Sequence, residues 1–562
     1  MSGREIPWDI WYPRPRLVRD KWLNLNGSWD FYTGHDGERR TITVPFAPES
    51  RLSGIGERIP DETDVDYARS FSVPEDYAGN RLLLHFGAVD QTAEVYLNGQ
   101  RLGFHEGGYT HFSFDITDVV RWDKENRLLV HVSDRLDDRL YPYGKQKHKN
   151  GGMWYTPVTG IWQTVWIEPV PEVYIRNINV INSLTEAKLE VELNRETDQE
   201  IVFTADWNHE AVRETGPGQL TLDVSALTPW TPEDPVTYPF TLQVGEDRVS
   251  SYLAVRTLSE RVIHGIPRIL LNGKPYYFHG VLDQGYFDDG IYTPESPEAY
   301  RNDLLMLKSC GFNMLRKHIK VEPDYFYYLC DIIGLAVFQD MVNNGTYSYF
   351  RDTVLPTVKL NRHMGDRFIN RDPEKRAMFK QCLTETIEQV RDFSCIVYYT
   401  IFNEGWGQFD GSSLYRYVKE LDPSRIVDTA SGWFDKVESD VCSEHIYFKD
   451  PEIHSSDKPY ILSEYGGYTF KTEGHLYHPE KTYGYGGYET REAYQEAVEK
   501  LMADCILPQI EMGLCADIYT QLSDVEDEIN GLITYDRKII KVNPARMKAI
   551  GDKMRKVYED WL

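Results

Sequence analysis

The chain has 562 residues, too long for a single core, so two to four domains are expected. Lys and Arg total 61 against 88 Asp and Glu, a formal charge of −27. That surplus excludes a nucleic-acid backbone or an anionic membrane as the main partner, since both need clustered positive charge. From residue 1 to 170, short runs alternate apolar and polar residues: "RLLLHFGAV", "AEVYLNGQRLGFH", "YTHFSFDI", "NRLLVHVSD", "TVWIEPV". Asn98-Gly99 sits between two of them as a hairpin turn that needs positive φ. This region reads as a jelly-roll β-sandwich. "YGKQKHKNGG" at 143–152 is basic but short, and reads as a solvated turn. "PVPEV" at 169–173 reads as a linker. A second, smaller all-β set follows over 171–257 and fits an immunoglobulin-like sandwich.

From 258 to 562 strands alternate with helical patterns. The strand candidates are "YYFHGVL", "NMLRKH", "LAVFQDM", "CIVYYTIFNE", "IVDTASGW", "SEHIYF", "PYILSEYGG" and "CADIYTQLSD". Helices are expected between them. In "SPEAYRNDLLMLKSCG", Tyr300, Leu304, Leu307 and Lys308 follow helical spacing, with Pro297 at the start and Gly311 at the stop. Eight strands over such a length predict a (β/α)8 TIM barrel. The predicted fold class is therefore multidomain β plus α/β: jelly roll, immunoglobulin-like sandwich, then barrel.

No apolar segment of signal-peptide or membrane-spanning length occurs. The seven cysteines read as free thiols of a reducing compartment, and the expected location is cytoplasmic. His475 and His478 in "HLYH" could hold a metal, but two histidines in a polar loop read more simply as solvated.

Barrel active sites lie at the C-terminal ends of the strands. Glu404 ends the fourth strand and Glu464 the seventh, each followed by Gly and an aromatic residue. Strands four and seven face each other across the barrel, so both carboxylates can enter one cleft. Glycosidic hydrolysis needs such a pair, one to protonate the leaving oxygen and one to attack the anomeric carbon or activate water.

"FNEGWGQF" and "LSEYGG" resemble glycoside hydrolase family 2, which includes β-galactosidases, β-glucuronidases and β-mannosidases. The likeness extends to "VDQTAEVYLNGQRLGFHEGGYTHFSFDIT", "VTGIWQTVWIE", "FHGV", "FNMLRKH" and "LSDVEDEINGLITYDRK". The resemblance implies that Glu404 is the general acid/base and Glu464 the nucleophile of a retaining reaction. It implies further that Asn403 bonds the sugar 2-hydroxyl, that Arg316 keeps the nucleophile ionised, and that Tyr447 bonds it. Trp406 either floors the sugar site or packs beneath it. Four positions depart from the family pattern. Trp154 stands where many members have an Asp, and Tyr519 where a strand-eight Trp is common. His318 lies two residues after Arg316 instead of three. The Asn-x-Lys pair that grips a uronate carboxylate is missing near "DEINGLITYDRK".

The sequence thus predicts a retaining exo-acting β-glycosidase, β-galactosidase-like, acting on small carbohydrates or oligosaccharides without a cofactor or metal. An arabinosidase or galactofuranosidase of the same family is the alternative, because Trp154 offers a flat apolar face in place of an acceptor. Arabinopyranosides or galactofuranosides are then expected to rival β-galactopyranosides, and β-glucuronides to be poor. A non-catalytic carbohydrate-binding protein is the alternative outside the class. Family members are often dimers or tetramers, so a homo-oligomer is open.

Overall fold

A computed structural model describes residues 7–34, 37–208, 210–357, 360, 363–447 and 449–561. The first sandwich pairs a six-stranded antiparallel sheet with a four-stranded one. The central strand of the larger sheet, Asn126–Ser133, buries alternate residues, as period-two side-chain alternation requires. Trp29, Phe31, Tyr67, Leu84, Phe86, Val95, Val130 and Ile167 fill the space between the sheets. Asn98 (φ 55°) and Gly99 (φ 84°) make the tight turn between Thr92–Leu97 and Gln100–Glu106.

The second sandwich has a three-stranded sheet, led by Ile175–Asn182, and a four-stranded sheet containing Ile201–Trp207. Leu17, from the N-terminal segment, joins its core. Arg19 ties the two sandwiches together. Its guanidinium donates to Glu168 at 3.0 Å and to both oxygens of Asp247 at 2.9 Å, with all three side chains buried.

Next comes the barrel, whose strands are β1 Phe278–Asp283, β2 Met314–Lys317, β3 Ala336–Asp340, β4 Ile396–Asn403, β5 Ile426–Ser431, β6 Cys442–Ile446, β7 Tyr460–Gly466 and β8 Leu514–Thr520. They form one parallel sheet in the order β5-β4-β3-β2-β1-β8-β7-β6. Side chains bridge the remaining β5–β6 seam: Ser443 Oγ donates to Asp428 Oδ1 at 3.0 Å. Phe278, Met314, Phe338, Tyr398, Ile461 and Ile518 pack the barrel interior. A hairpin preceding β1 plugs the bottom with Ile269.

The helices around the barrel are α1 Pro297–Ser309, α2 Asp324–Ile333, α3 Pro373–Val390, α4 Gly411–Leu421, α5 Arg491–Lys500 and α6 Pro544–Trp561. In α1, Tyr300, Leu304 and Leu307 are buried as their spacing predicts. Lys308 instead donates to the carbonyls of Pro232 and Gly334. The expected alternation fails in two places. Among the described residues, no helix joins β5 to β6 or β6 to β7. Gly432 and Phe434 take positive φ in the first connection, and Pro451 and Pro459 punctuate the second.

The segment after the jelly roll's Asn126–Ser133 strand reaches over the barrel mouth. Tyr143 N–H donates to Asn343 O at 3.0 Å, Tyr143 Oη to Gly345 O at 2.9 Å, and Thr156 N–H to Glu526 Oε1 at 2.7 Å. "YGKQKHKNGG" is therefore not the solvated turn its composition suggests, because Tyr143 to Gln146 are buried. No helix of the described residues is long and apolar enough to cross a membrane. The seven cysteines are free.

Candidate active site

Glu464, on β7, is buried with an Arg beneath it. Arg316 Nη1 donates to Glu464 Oε1 at 3.2 Å and to Ser463 O at 3.0 Å. Its Nε bonds Asp340, at the end of β3, at 2.9 Å, and Nη2 donates to Asn403 Oδ1 at 2.9 Å. One guanidinium therefore links β2, β3, β4 and β7, a use of its planar fork that Lys could not copy. Tyr447, just past β6, donates to Glu464 Oε2 at 2.7 Å and meets Thr520 Oγ1 at 2.9 Å. Burial alone would raise the Glu464 pKa. The charges of His445, Arg316 and His318 and the Tyr447 bond outweigh it and hold this carboxyl well below its ordinary value.

Glu404 stands where β4 breaks. Glu404 (φ 52°), Gly405 (φ 68°) and Gly407 (φ 69°) take left-handed conformations, which turn the chain sharply at the rim. A Cβ on Gly405 would come within 2.2 Å of the Phe434 ring, so Gly is required there. Glu404 N–H still bonds Ser431 O of β5 at 2.8 Å, which fixes the direction of its side chain. The side chain is 20% exposed against 8% for Glu464, so it is the more solvent-reachable of the two.

His445 of β6 lies between the carboxylates. Its Nδ1 is 2.9 Å from Glu404 Oε1 and 3.5 Å from Glu464 Oε2. Its Nε2 is 3.1 Å from Ser431 Oγ. The sequence reading passed over His445, although a signal was there: side chains two apart on a strand share a face, and Tyr447 was already placed in the cleft.

The other predicted residues fall in different places. Asn403, with its Oδ1 held by Arg316, keeps its NH2 for a ligand hydroxyl. His318 bonds Asp340 Oδ2 through Nδ1 at 2.7 Å. Burial lowers its pKa. Trp406 is buried and donates to Tyr143 Oη at 3.2 Å. Trp154 is half-buried, with its ring 5.0 Å from Trp406, 5.1 Å from Tyr347 and under the ammonium of Lys147 at 4.9 Å. Tyr519 points away from the cleft and packs against Tyr465 in the core between strands and helices. The β8 side chain that reaches the cleft is its neighbour Thr520, because strand side chains alternate in direction. His475 and His478 each bond an aspartate, Asp536 and Asp527, at 2.8 and 2.5 Å.

Glu404, His445 and Glu464 each offer one donor atom, all within 4.8 Å of one another. Such a set could grip a cation, but an ion there would occupy the space in which the carboxylates face each other. Asp61, Asp137 and His148 form a second such group on the jelly roll. Two facing carboxyl groups, one of them held ionised, are the equipment with which one group protonates a leaving oxygen while the other attacks the carbon.

Comparison with known proteins shows the family of the domains that carry this cleft. Residues 264–550 match the model of "Glycosyl hydrolases family 2, TIM barrel domain", and residues 56–167 that of "Glycosyl hydrolases family 2, sugar binding domain". A β-glucuronidase of Bacteroides fragilis is 24% identical over 499 residues, which cover 83% of this chain and 68% of that protein. A β-galactosidase of Thermoanaerobacter pseudethanolicus is 24% identical over 440 residues, 73% of this chain but only 54% of that protein. Among solved structures, a β-glucuronidase of an uncultured Clostridium sp. superposes with a TM-score of 0.74 at 20% identity, covering 98% of this chain and all of that one. A β-galacturonidase of Eisenbergiella tayi bound to galacturonate gives 0.72 at 19% identity, with 97% and 99% covered.

Proposed function

Because the chain belongs to glycoside hydrolase family 2, we propose that it is an exo-acting β-glycosidase that works with retention through Glu464 and Glu404. The observation that carries this reading is the spacing of the two carboxylates. One oxygen of each lies within 4.8 Å of the other, which fits the close pair of carboxyl groups that a retaining site uses.

In the first step Glu464 attacks the anomeric carbon and Glu404 gives its proton to the departing glycosidic oxygen. The C–O bond to the aglycone breaks and a glycosyl–Glu464 ester forms. Glu404, now a carboxylate, then takes a proton from water, whose oxygen displaces Glu464 and restores the original anomeric configuration. Arg316 and Tyr447 keep Glu464 ionised before attack and stabilise it as it leaves. Asn403 bonds the 2-hydroxyl, a contact that strengthens as the ring flattens. His445 donates to Glu404 and orients it toward the leaving oxygen. Thr520 sets the Tyr447 hydroxyl.

For the sugar, we favour a neutral ring of the galactose type, with arabinopyranosides and galactofuranosides as rivals. The missing Asn-x-Lys pair removes one known grip on a uronate. Aryl glycosides of these sugars and of glucuronate, followed by proton NMR of the first-formed product, test the reading. The expected product keeps the substrate's anomeric configuration. The opposite anomer would exclude a glycosyl-enzyme and overturn the assignment of Glu464.

A further inference from the structure

One cation at the barrel mouth has no role in the reaction as described. Lys145 lies in the jelly-roll segment that descends over the barrel, and it is only 9% exposed. Its position is firmly set. Tyr155 N–H donates to Lys145 O at 3.0 Å, and Gln146 beside it bonds Asp90, Tyr109 and Val158 N–H. Gly144, at φ 61°, lies so close to the loop after β2 that a Cβ there would come within 2.8 Å of Ile319 O. Among the described residues, the Lys145 ammonium makes no hydrogen bond and no ion pair within 4 Å, and the residue is largely covered. The ammonium itself is not fully enclosed, so water reaches it from the cleft and the hydroxyl of an arriving group can take that water's place.

The surroundings say what kind of group. The charge of Lys145 is felt by His318, at the end of β2, and by Glu528, in the loop after β8. Both also feel Glu464. Glu528 is 4% exposed and held in place by the hydroxyl of Tyr155 and by Asn530 Nδ2 at 2.9 Å. A sugar with C1 at Glu464 on β7 and its 2-hydroxyl at Asn403 on β4 has its remaining carbons toward the rim over β8, β1 and β2. Lys145 and Glu528 border that part of the rim. Lys145 can only donate, and Glu528 presents carboxyl oxygens that accept; burial raises the Glu528 pKa, while the Tyr155 hydroxyl, the Lys145 charge and Asn530 pull it down. The two are the complement of two hydroxyls.

We propose that Lys145 and Glu528 form a hydroxyl-reading pair that selects neutral sugars with adjacent hydroxyls at the end remote from C1, and that rejects uronates. A uronate carboxylate at that end would meet Glu528 beside the one ammonium, with the ionised Glu464 in the same cleft, and acidic groups in so enclosed a site disfavour a further negative charge. Trp154 does not do this work, because its ring packs against Trp406 and Tyr347 on the side of β3 and β4. The pair rests on the hydrolytic reading above for the placement of C1. It extends that reading by bringing the jelly roll into substrate recognition.

The test compares wild type, Lys145→Met and Glu528→Gln on aryl β-galactopyranoside, α-L-arabinopyranoside, β-galactofuranoside and β-glucuronide. Calorimetric binding of D-galactonolactone to each protein is measured alongside. Glu528→Gln retains acceptor and size, so it folds even if Lys145→Met does not. The best wild-type substrate is expected to be neutral, and each variant to lose tenfold or more in kcat/KM on it, chiefly through KM, with a parallel loss of lactone affinity. A merely structural role would lower the amount of folded enzyme and leave KM unchanged. A glucuronide that is the best substrate, or variants with wild-type KM and lactone affinity, overturns the proposal. If the wild type cleaves none of the glycosides yet binds the lactone through Lys145, the hydrolytic reading fails while the pair stands. No cleavage and no lactone binding sinks both.

Discussion

Tyr447→Phe isolates one bond to Glu464 without adding or removing bulk. The hydroxyl donates to Glu464 Oε2 at 2.7 Å and has Thr520 Oγ1 as its other neighbour. A hydrogen bond to a charged group contributes about 1.5–3 kcal/mol. It favours the ionised carboxylate only, so its loss raises the Glu464 pKa by about one to two. The sign follows from linkage. Glu464 is depressed in the folded enzyme, so the stability it adds is present above the ordinary Glu pKa and is lost as pH falls through the folded value. Removing a donor moves that loss, and the acid limb of activity, upward. The assay is kcat/KM on a good aryl glycoside from pH 3 to 8. The wild-type acid limb is expected below about pH 4, the ordinary range for Glu. Tyr447→Phe should shift it up by about one to two pH units and cost tenfold or more on the plateau. An acid limb that stays in place would refute the idea that Tyr447 holds the nucleophile ionised.

Four further outcomes are expected. Glu464→Gln should fold normally and lose nearly all turnover; a few per cent of wild-type rate in a pure preparation argues against it as nucleophile. Glu404→Ala should slow poor leaving groups far more than good ones, and azide should restore deglycosylation by attacking without base help; equal slowing with no azide effect removes the acid/base assignment. His445→Ala should give a milder copy of that leaving-group dependence, because it removes the donor 2.9 Å from Glu404, and should also move the acid limb upward, because its charge helps hold Glu464 down; uniform slowing with an unmoved acid limb would reduce His445 to packing. Arg19→Met should destabilise the protein by about 3–5 kcal/mol in urea, since it removes the cation from buried Asp247 and leaves Glu168 with the more distant Arg14; a change under about 1 kcal/mol contradicts the network's role.

How much of this could be read from the chain depends on the residue. Glu404 and Glu464 were legible because each carboxylate stands at or just past the end of a largely apolar run that forms a fully buried strand, which is a strong local signal. Arg316 and Tyr447 came only with the family resemblance; Arg316 lies in β2 and Tyr447 just past β6. Tyr519 was placed at the site by the family match alone; along β8 its side chain turns outward and that of Thr520 inward, because strand side chains alternate. Lys145 and Glu528 lie in connections with no periodicity, where composition says nothing about direction, so only the packing of the jelly-roll segment onto the rim exposes them. The absent helices around β6 belong to the same class: a helix is visible by its apolar spacing, but a short connection carries no mark of what it leaves out.

The most direct test of the central claim is covalent trapping. The enzyme is incubated with the 2-deoxy-2-fluoro β-glycosyl fluoride of its best sugar, which slows the second step more than the first, and is then digested and mapped by mass spectrometry. The account predicts one fluorosugar per chain, carried on the peptide that contains Glu464 and absent from Glu464→Gln. A label on Glu404, or turnover of the glycosides with no trapped ester at any residue, would contradict it.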